Sequence, residues 1–267
     1  TPEPAMASVS IRGAVKRFGT TTVLPGVDLE IADREFVTLV GPSGCGKSTL
    51  LNLASGLDRP TRGRVFVDGA EVTGPNSHVA FMLQRDLLLP WRSILDNVTF
   101  GQEIQHVEKA RRREVARKLL DKYHLGEFVD HYPHQLSGGM RKRTSLAQTL
   151  ALDPDIILMD EPFSALDIQT RQLMENEVLA LWQAKRKAVL FITHDLDEAI
   201  AMSDRVVVLS AGPASHPIGA FAVDLPRPRN VAEIKTAPRF VELHAAIWAV
   251  LREEVLAGYA QQLEKAA

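Results

Sequence analysis

At 267 residues the chain is long enough for one large domain, or for a core carrying an inserted subdomain. Its 31 Lys plus Arg nearly balance 33 Asp plus Glu, which excludes a nucleic-acid binder that depends on a strong basic field. A single cysteine, Cys45, excludes an intramolecular disulfide and suits a reducing compartment, and no apolar run approaches the ~18 residues of a membrane span.

Residues 1–7 contain two prolines and are expected to be disordered, and nothing there resembles the apolar core of a secretory signal. Val9 to Phe18 and Thr22 to Ile31 alternate apolar and polar residues, as two strands do, with Gly19 at the turn. Phe36 to Val40 reads as a buried strand and Leu50 to Ala54 as a helix. Between them lies Gly41-Pro42-Ser43-Gly44-Cys45-Gly46-Lys47-Ser48-Thr49, which fits G-x-x-x-x-G-K-[ST] in the strand-loop-helix setting that this motif requires. Its glycines let successive N–H groups point at one anion, and the helix N-terminus adds free donors. Lys47 can then reach the outer phosphates of a nucleotide, and Ser48 can place its hydroxyl on Mg²⁺. Cys45, close to a helix N-terminus that favours thiolate, is expected to be open to alkylation.

Arg64 to Gly69 and His78 to Leu83 read as further strands, the second stopping at Gln84. From about residue 85 to 152 the pattern turns helical, at Ile94 to Phe100, Val107 to Tyr123 and Met140 to Leu152. Strand patterns return at Asp155 to Asp160 and Ala188 to Thr193, whose apolar runs suit parallel strands buried on both faces. Helices are expected from Leu166 to Lys185 and from Leu196 to Met202, with a strand from Arg205 to Leu209. Strands alternating with helices give an α/β core with a mostly parallel sheet, and ligands in such sheets bind beyond the carboxyl ends of the strands. Gly41, Gln84, Asp160 and His194 all lie just past strand ends. The tail holds Leu225-Pro226-Arg227-Pro228-Arg229 and then a helix from about Pro238. On that helix Phe240, Leu243, His244, Ile247, Leu251 and Val255 form one stripe, expected to pack on the core.

Asp160-Glu161 ends a buried strand. An aspartate there can hold Mg²⁺ and a neighbouring glutamate can polarise a water for attack on phosphate. Leu136-Ser137-Gly138-Gly139 opens a helix and makes a second anion site, which one γ-phosphate does not need from the same chain. This stretch resembles the signature of the ATP-binding cassette (ABC) ATPases, where it completes the site of the opposite subunit. The resemblance runs in order from about Val9 to Val208. It implies an α/β P-loop NTPase (RecA-like) core with an antiparallel β subdomain and an inserted helical subdomain at about 85–152. The ATPase domain would span 8–222, and an extended segment with a helix 223–267.

The same resemblance assigns roles. Phe18 would stack on adenine, Gly41 to Thr49 would bind nucleotide, and Ser48, Gln84 and Asp160 would organise Mg²⁺. Glu161 would act as general base and His194 would contact the γ-phosphate, with Lys47 and Gln84 beside them. Ser137, Gly138 and Gly139 would act on the partner's ATP, and Asp167 would lie in the loop that crosses the dimer interface. Lys142 departs from the pattern: the family usually has glutamine there, which bears on the interface contact made at that point. Leu88-Leu89-Pro90-Trp91, Leu166 to Arg171 and Leu225 to Arg229 resemble the nitrate/sulfonate/taurine-type importers. The implied protein is a cytoplasmic subunit on the inner face of the membrane, paired with itself or a paralogue. It would drive a permease fed by a periplasmic or extracellular solute-binding protein, without nucleic acid. The alternative from another class is a soluble ABC-type ATPase acting on DNA or ribosomes.

Overall fold

The computed structural model describes residues 7–185 and 187–266, so the expected disorder of residues 1–6 lies outside the described residues, and Ala7 already begins a strand. β1 (Ala7–Phe18) and β2 (Thr21–Ala32) form an antiparallel pair, extended on the other side of β1 by β4 (Arg62–Val67) and the short β5 (Ala70–Glu71), in the order β2-β1-β4-β5. The second sheet contains β3 (Phe36–Val40), β6 (Val79–Met82), β7 (Ile156–Asp160), β8 (Ala188–Ile192), β9 (Arg205–Leu209) and β10 (Pro217–Ala222). Its order is β10-β9-β3-β8-β7-β6, parallel throughout except for β10, which runs antiparallel to β9.

Every residue of β3, β7 and β8 is buried, which is why their sequences are apolar except for Thr38 in β3 and Asp160 at the end of β7. Successive side chains still point to opposite faces. Val37, Leu39, Leu158, Leu190 and Val207 join α1 (Lys47–Ser55) and the antiparallel sheet in one core. Phe36, Val40, Met159, Phe191 and Val206 join the remaining helices in the other. Three helices fill the interval between β6 and β7: α2 (Ile94–Ile104), α3 (Lys109–Lys122) and α4 (Gly138–Ala151). They bury Leu95, Val98, Leu120, Tyr123, Leu146 and Leu150 among themselves and against the sheet.

α5 (Ile168–Lys185) and α6 (Leu196–Met202) cover the second face. The single turn α7 (Val231–Ile234) and the long α8 (Pro238–Ala266) complete it. The expected stripe on α8 holds, with Phe240, Leu243, Ile247 and Leu251 buried, while His244 sits at its edge, 3.7 Å from Asp197. The proline-rich tail segment is held by Arg229, 7% exposed, whose guanidinium donates to the carbonyls of Ile200, Ala201 and Ser203 at the end of α6 and of Val223 and Leu225 in its own segment. Among the described residues, no helix is long and apolar enough to cross a membrane.

Candidate active site at the strand ends

The loop from Gly41 to Gly46 joins β3 to α1. Gly44 and Gly46 have φ of +78° and +100°, and a Cβ at Gly46 would sit 2.9 Å from Val23, so both backbone angle and space demand glycine there. Gly46 caps α1, and the turn is closed by Cys45 N–H donating to the Pro42 carbonyl at 3.3 Å. The Lys47 ammonium lies across the loop, donating to the carbonyls of Gly41 (2.8 Å) and Pro42 (2.9 Å), and is 8% exposed. A cation and a helix N-terminus thus face one small space, the arrangement that holds a phosphate chain.

The neighbouring strands deliver the rest. Asp160, the last residue of β7, is 7% exposed. Burial raises its carboxyl above the ordinary carboxylate range, and a hydrogen bond from the Ser48 hydroxyl opposes that shift. Glu161 follows with φ of +45°, a strained angle for a residue with a side chain, and its N–H donates to the Ile192 carbonyl at the end of β8. Its carboxylate accepts from Gln84 Nε2 at 3.1 Å, and His194 Nδ1 lies 3.5 Å from the same oxygen. The four strand ends named from sequence therefore converge, because β3, β8, β7 and β6 are successive neighbours in the sheet.

The second glycine motif stands apart. Ser137 caps α4, accepting from Met140 N–H at 3.2 Å, and Ser137 and Gly138 are exposed. Among the described residues, no hydrogen bond or ion pair joins Ser137, Gly138 or Gly139 to the phosphate loop. Asp167 is exposed too, its carboxylate held below the usual range by the Thr170 N–H at 3.0 Å, ahead of α5.

Residues 24–164 match the family described as ABC transporter, more than half of the chain. The chain belongs to the ABC transporter family. It is 48% identical over 233 residues to an uncharacterized ABC transporter ATP-binding protein of Methanocaldococcus jannaschii, covering 87% of this chain and 85% of the relative. It is 41% identical over 250 residues to a taurine import ATP-binding protein of Burkholderia thailandensis, covering 92% and 95%. A solved dimeric ATP-binding cassette in a post-hydrolysis state, bound to ADP and Pi, aligns at a TM-score of 0.74 and 30% identity, covering 82% of this chain and all of that one. The chain is thus an ABC ATPase with a P-loop NTPase fold, and cassettes of this family dimerise.

Within this cassette two sequence expectations change. The Cys45 side chain is 1% exposed and packs in the core under the loop, with its sulfur 3.8 Å from Lys47 Nζ, so it offers the site only its backbone and is closed to ready alkylation. The loop turns this side chain inward because the glycines on either side direct the backbone toward the anion site. Lys142 faces inward as well: it is 6% exposed and bonds to the carbonyl of Gln84 within its own chain. Its position four residues before Leu146 and eight before Leu150, on a buried stripe of α4, was the available signal. Phe18 is 52% exposed with Lys16 Nζ 4.8 Å over its ring, an open face at the end of β1. Sequence reasoning also missed the reach of α8. Trp248, Leu251, Val255 and Tyr259 line a cavity of about 270 Å³ with Gly41, Pro42, Ser43 and His194, and a Cβ on Gly258 would meet Pro42 at 3.2 Å.

Proposed function

We propose that this chain is the ATP-hydrolysing subunit of an importer for a small solute of the nitrate, sulfonate or taurine kind, working on the cytoplasmic face of a membrane permease. The observation that carries the reading is the Glu161 carboxylate gripped by Gln84 and His194 beside the Ser48–Asp160 pair. Likeness to taurine import ATP-binding proteins supports the importer assignment. The loop amides and Lys47 would bind the β- and γ-phosphates, and Phe18 offers the adenine a ring. Ser48, Asp160 and Gln84 form an all-oxygen donor set with a buried carboxylate, which fits Mg²⁺. When bound, that ion neutralises phosphate charge.

Glu161 is the general base: Gln84 and His194 fix its carboxylate so that it can take a proton from the attacking water while His194 also faces the γ-phosphate. Ser137, Gly138 and Gly139, turned away from their own loop, complete the site of a second copy or a paralogue, and Asp167 lies in the loop between the two. The permease would dock in the groove between the end of β6 and the helices α2 and α4. That groove of about 230 Å³ is lined by Leu83, Leu87 and Phe100, and of these Leu87 is strongly exposed.

The test is ATPase activity in vesicles with and without a permease and solute-binding protein of a taurine-type importer. The rate should rise on adding them, and Glu161→Gln should bind ATP yet hydrolyse it ~10²–10⁴-fold more slowly. A rate indifferent to the permease would remove the importer reading, and near-normal turnover by the Gln variant would remove Glu161 as base.

A further inference from the structure

Lys142 lies one turn into α4, five residues after Ser137, with a side chain that runs inward beside Leu146. Its ammonium donates to the main-chain carbonyl of Gln84 and, at 3.5 Å, to that of Leu83. Arg141, also on α4, grips the next part of the same segment, with Nε 3.0 Å from Asp86 Oδ2, while it donates to the Leu136 carbonyl just before the helix at 2.8 Å. The segment from Leu83 to Asp86 is therefore stapled to the first turn of the helix that carries Ser137, Gly138 and Gly139. Burial lowers the Lys142 pKa, while Asp86, Asp160 and Glu161 favour its charged form. An ammonium hidden from water is costly unless its donors are used, so the contact with Gln84 is a specific one.

The Gln84 side chain leads onward to Glu161, 3.1 Å away. We propose that Lys142 is a positioning residue for ATP hydrolysis: by fixing the Gln84 backbone it sets the side chain that holds Glu161, and it makes that carboxylate move together with the Ser137-Gly138-Gly139 helix of the same chain. A copy whose signature has engaged its neighbour's nucleotide thereby transmits the docked position of α4 to its own catalytic carboxylate. This inference rests on the reading of Glu161 as base.

The test uses the full chain and a double-mutant cycle. Lys142→Met keeps length and removes the donors, Lys142→Arg keeps donors and charge, and each is made alone and with Gln84→Ala. Lys142→Met should lower kcat ~10-fold or more, the usual cost of losing a supporting contact to a site residue, with KM for ATP changed less than about twofold. Lys142→Arg should recover much of that rate. Gln84→Ala combined with Lys142→Met should be no slower than Gln84→Ala alone, because the lysine acts through that side chain. Wild-type kcat in Lys142→Met, a loss carried by KM, or a double variant slowed by the product of both single losses would overturn the proposal. Should Lys142→Met fail to fold, Lys142→Leu, which is also apolar and also removes the donors, enters the same cycle with the same criteria. Glu161→Gln is measured beside them: loss of hydrolysis there upholds the base reading whatever Lys142 does, so the two ideas fail separately.

Discussion

Replacing Arg229 by methionine should destabilise the protein by about 3 kcal/mol while leaving the site's own contacts in place. The guanidinium makes three short bonds, to Ser203 (2.6 Å), Leu225 (2.9 Å) and Val223 (3.1 Å), and two long ones, to Ala201 (3.3 Å) and Ile200 (3.4 Å). Hydrogen bonds from a charged donor contribute ~1.5–3 kcal/mol each, so the three short ones alone amount to several kcal/mol. Against them stands the cost of burying a cation: burial, with Arg227 nearby, lowers Arg229 to about 10, still charged at neutral pH. The balance falls near the ~3–5 kcal/mol seen when one partner of a buried charged network is removed, and we take the lower end because water can reach some of the freed carbonyls. For a chain of this size that corresponds to a fall of about 6–12 °C in the midpoint of thermal unfolding, followed by circular dichroism. Arg229→Lys should fall nearly as far, since an ammonium cannot span carbonyls on both sides as the planar fork does. A Met variant melting within about 2 °C of wild type, or a Lys variant equal to wild type, would refute the clamp.

Two further outcomes follow from burial. Cys45, at 1% exposure, should react with a thiol reagent about 100-fold more slowly in the native protein than in urea, as expected for a group that needs about 3 kcal/mol of local opening; equal rates would show that the thiol faces solvent. Glu198 on α6 is 5% exposed, and burial raises its pKa well above the ordinary carboxylate value, with Thr193 opposing the shift and the nearby Glu175 adding to it. A carboxyl whose folded value is raised holds its proton more tightly when folded, so its contribution to stability is full below the unfolded value near 4.5 and is lost as pH rises through the raised one. Glu198→Gln should therefore melt above wild type at pH 8 and approach it at pH 5, measured by calorimetry, and the opposite slope would reject the assignment.

Most of the fold could be read because its signals are local. Buried parallel strands appear as apolar runs, helices as periodic stripes, and the phosphate loop as glycines at fixed spacing. Three short elements, β5, β10 and α7, escaped: β10 mixes half-buried and exposed residues at the sheet edge, and its pairing with β9 supplies what its pattern lacks. The helix limits shifted at the signature, where α4 begins at Gly138 because Ser137 caps it. Arg227 and Arg229 looked like a family mark in the sequence. In space Arg229 is a clamp on five carbonyls, a role that depends on where the end of α6 lies.

The sequence by itself determined the order of strands and helices, the phosphate loop and the residue types at each strand end, since propensity, period and backbone freedom act over a few neighbouring residues. Only the tertiary structure decided what those residues meet. Sheet order β9-β3-β8-β7-β6 brings Gln84 and His194 to one oxygen of Glu161, across 77 and 33 positions of chain. Packing of α4 against the end of β6 turns Lys142 inward to Gln84, and packing of α8 brings Tyr259 to the rim of the phosphate loop. Cys45 went the same way, from loop residue to core residue. The physical reason is common to all four: burial and partner choice are set by which elements stack together, and a side chain's local spacing carries only the face it shares, not what covers that face.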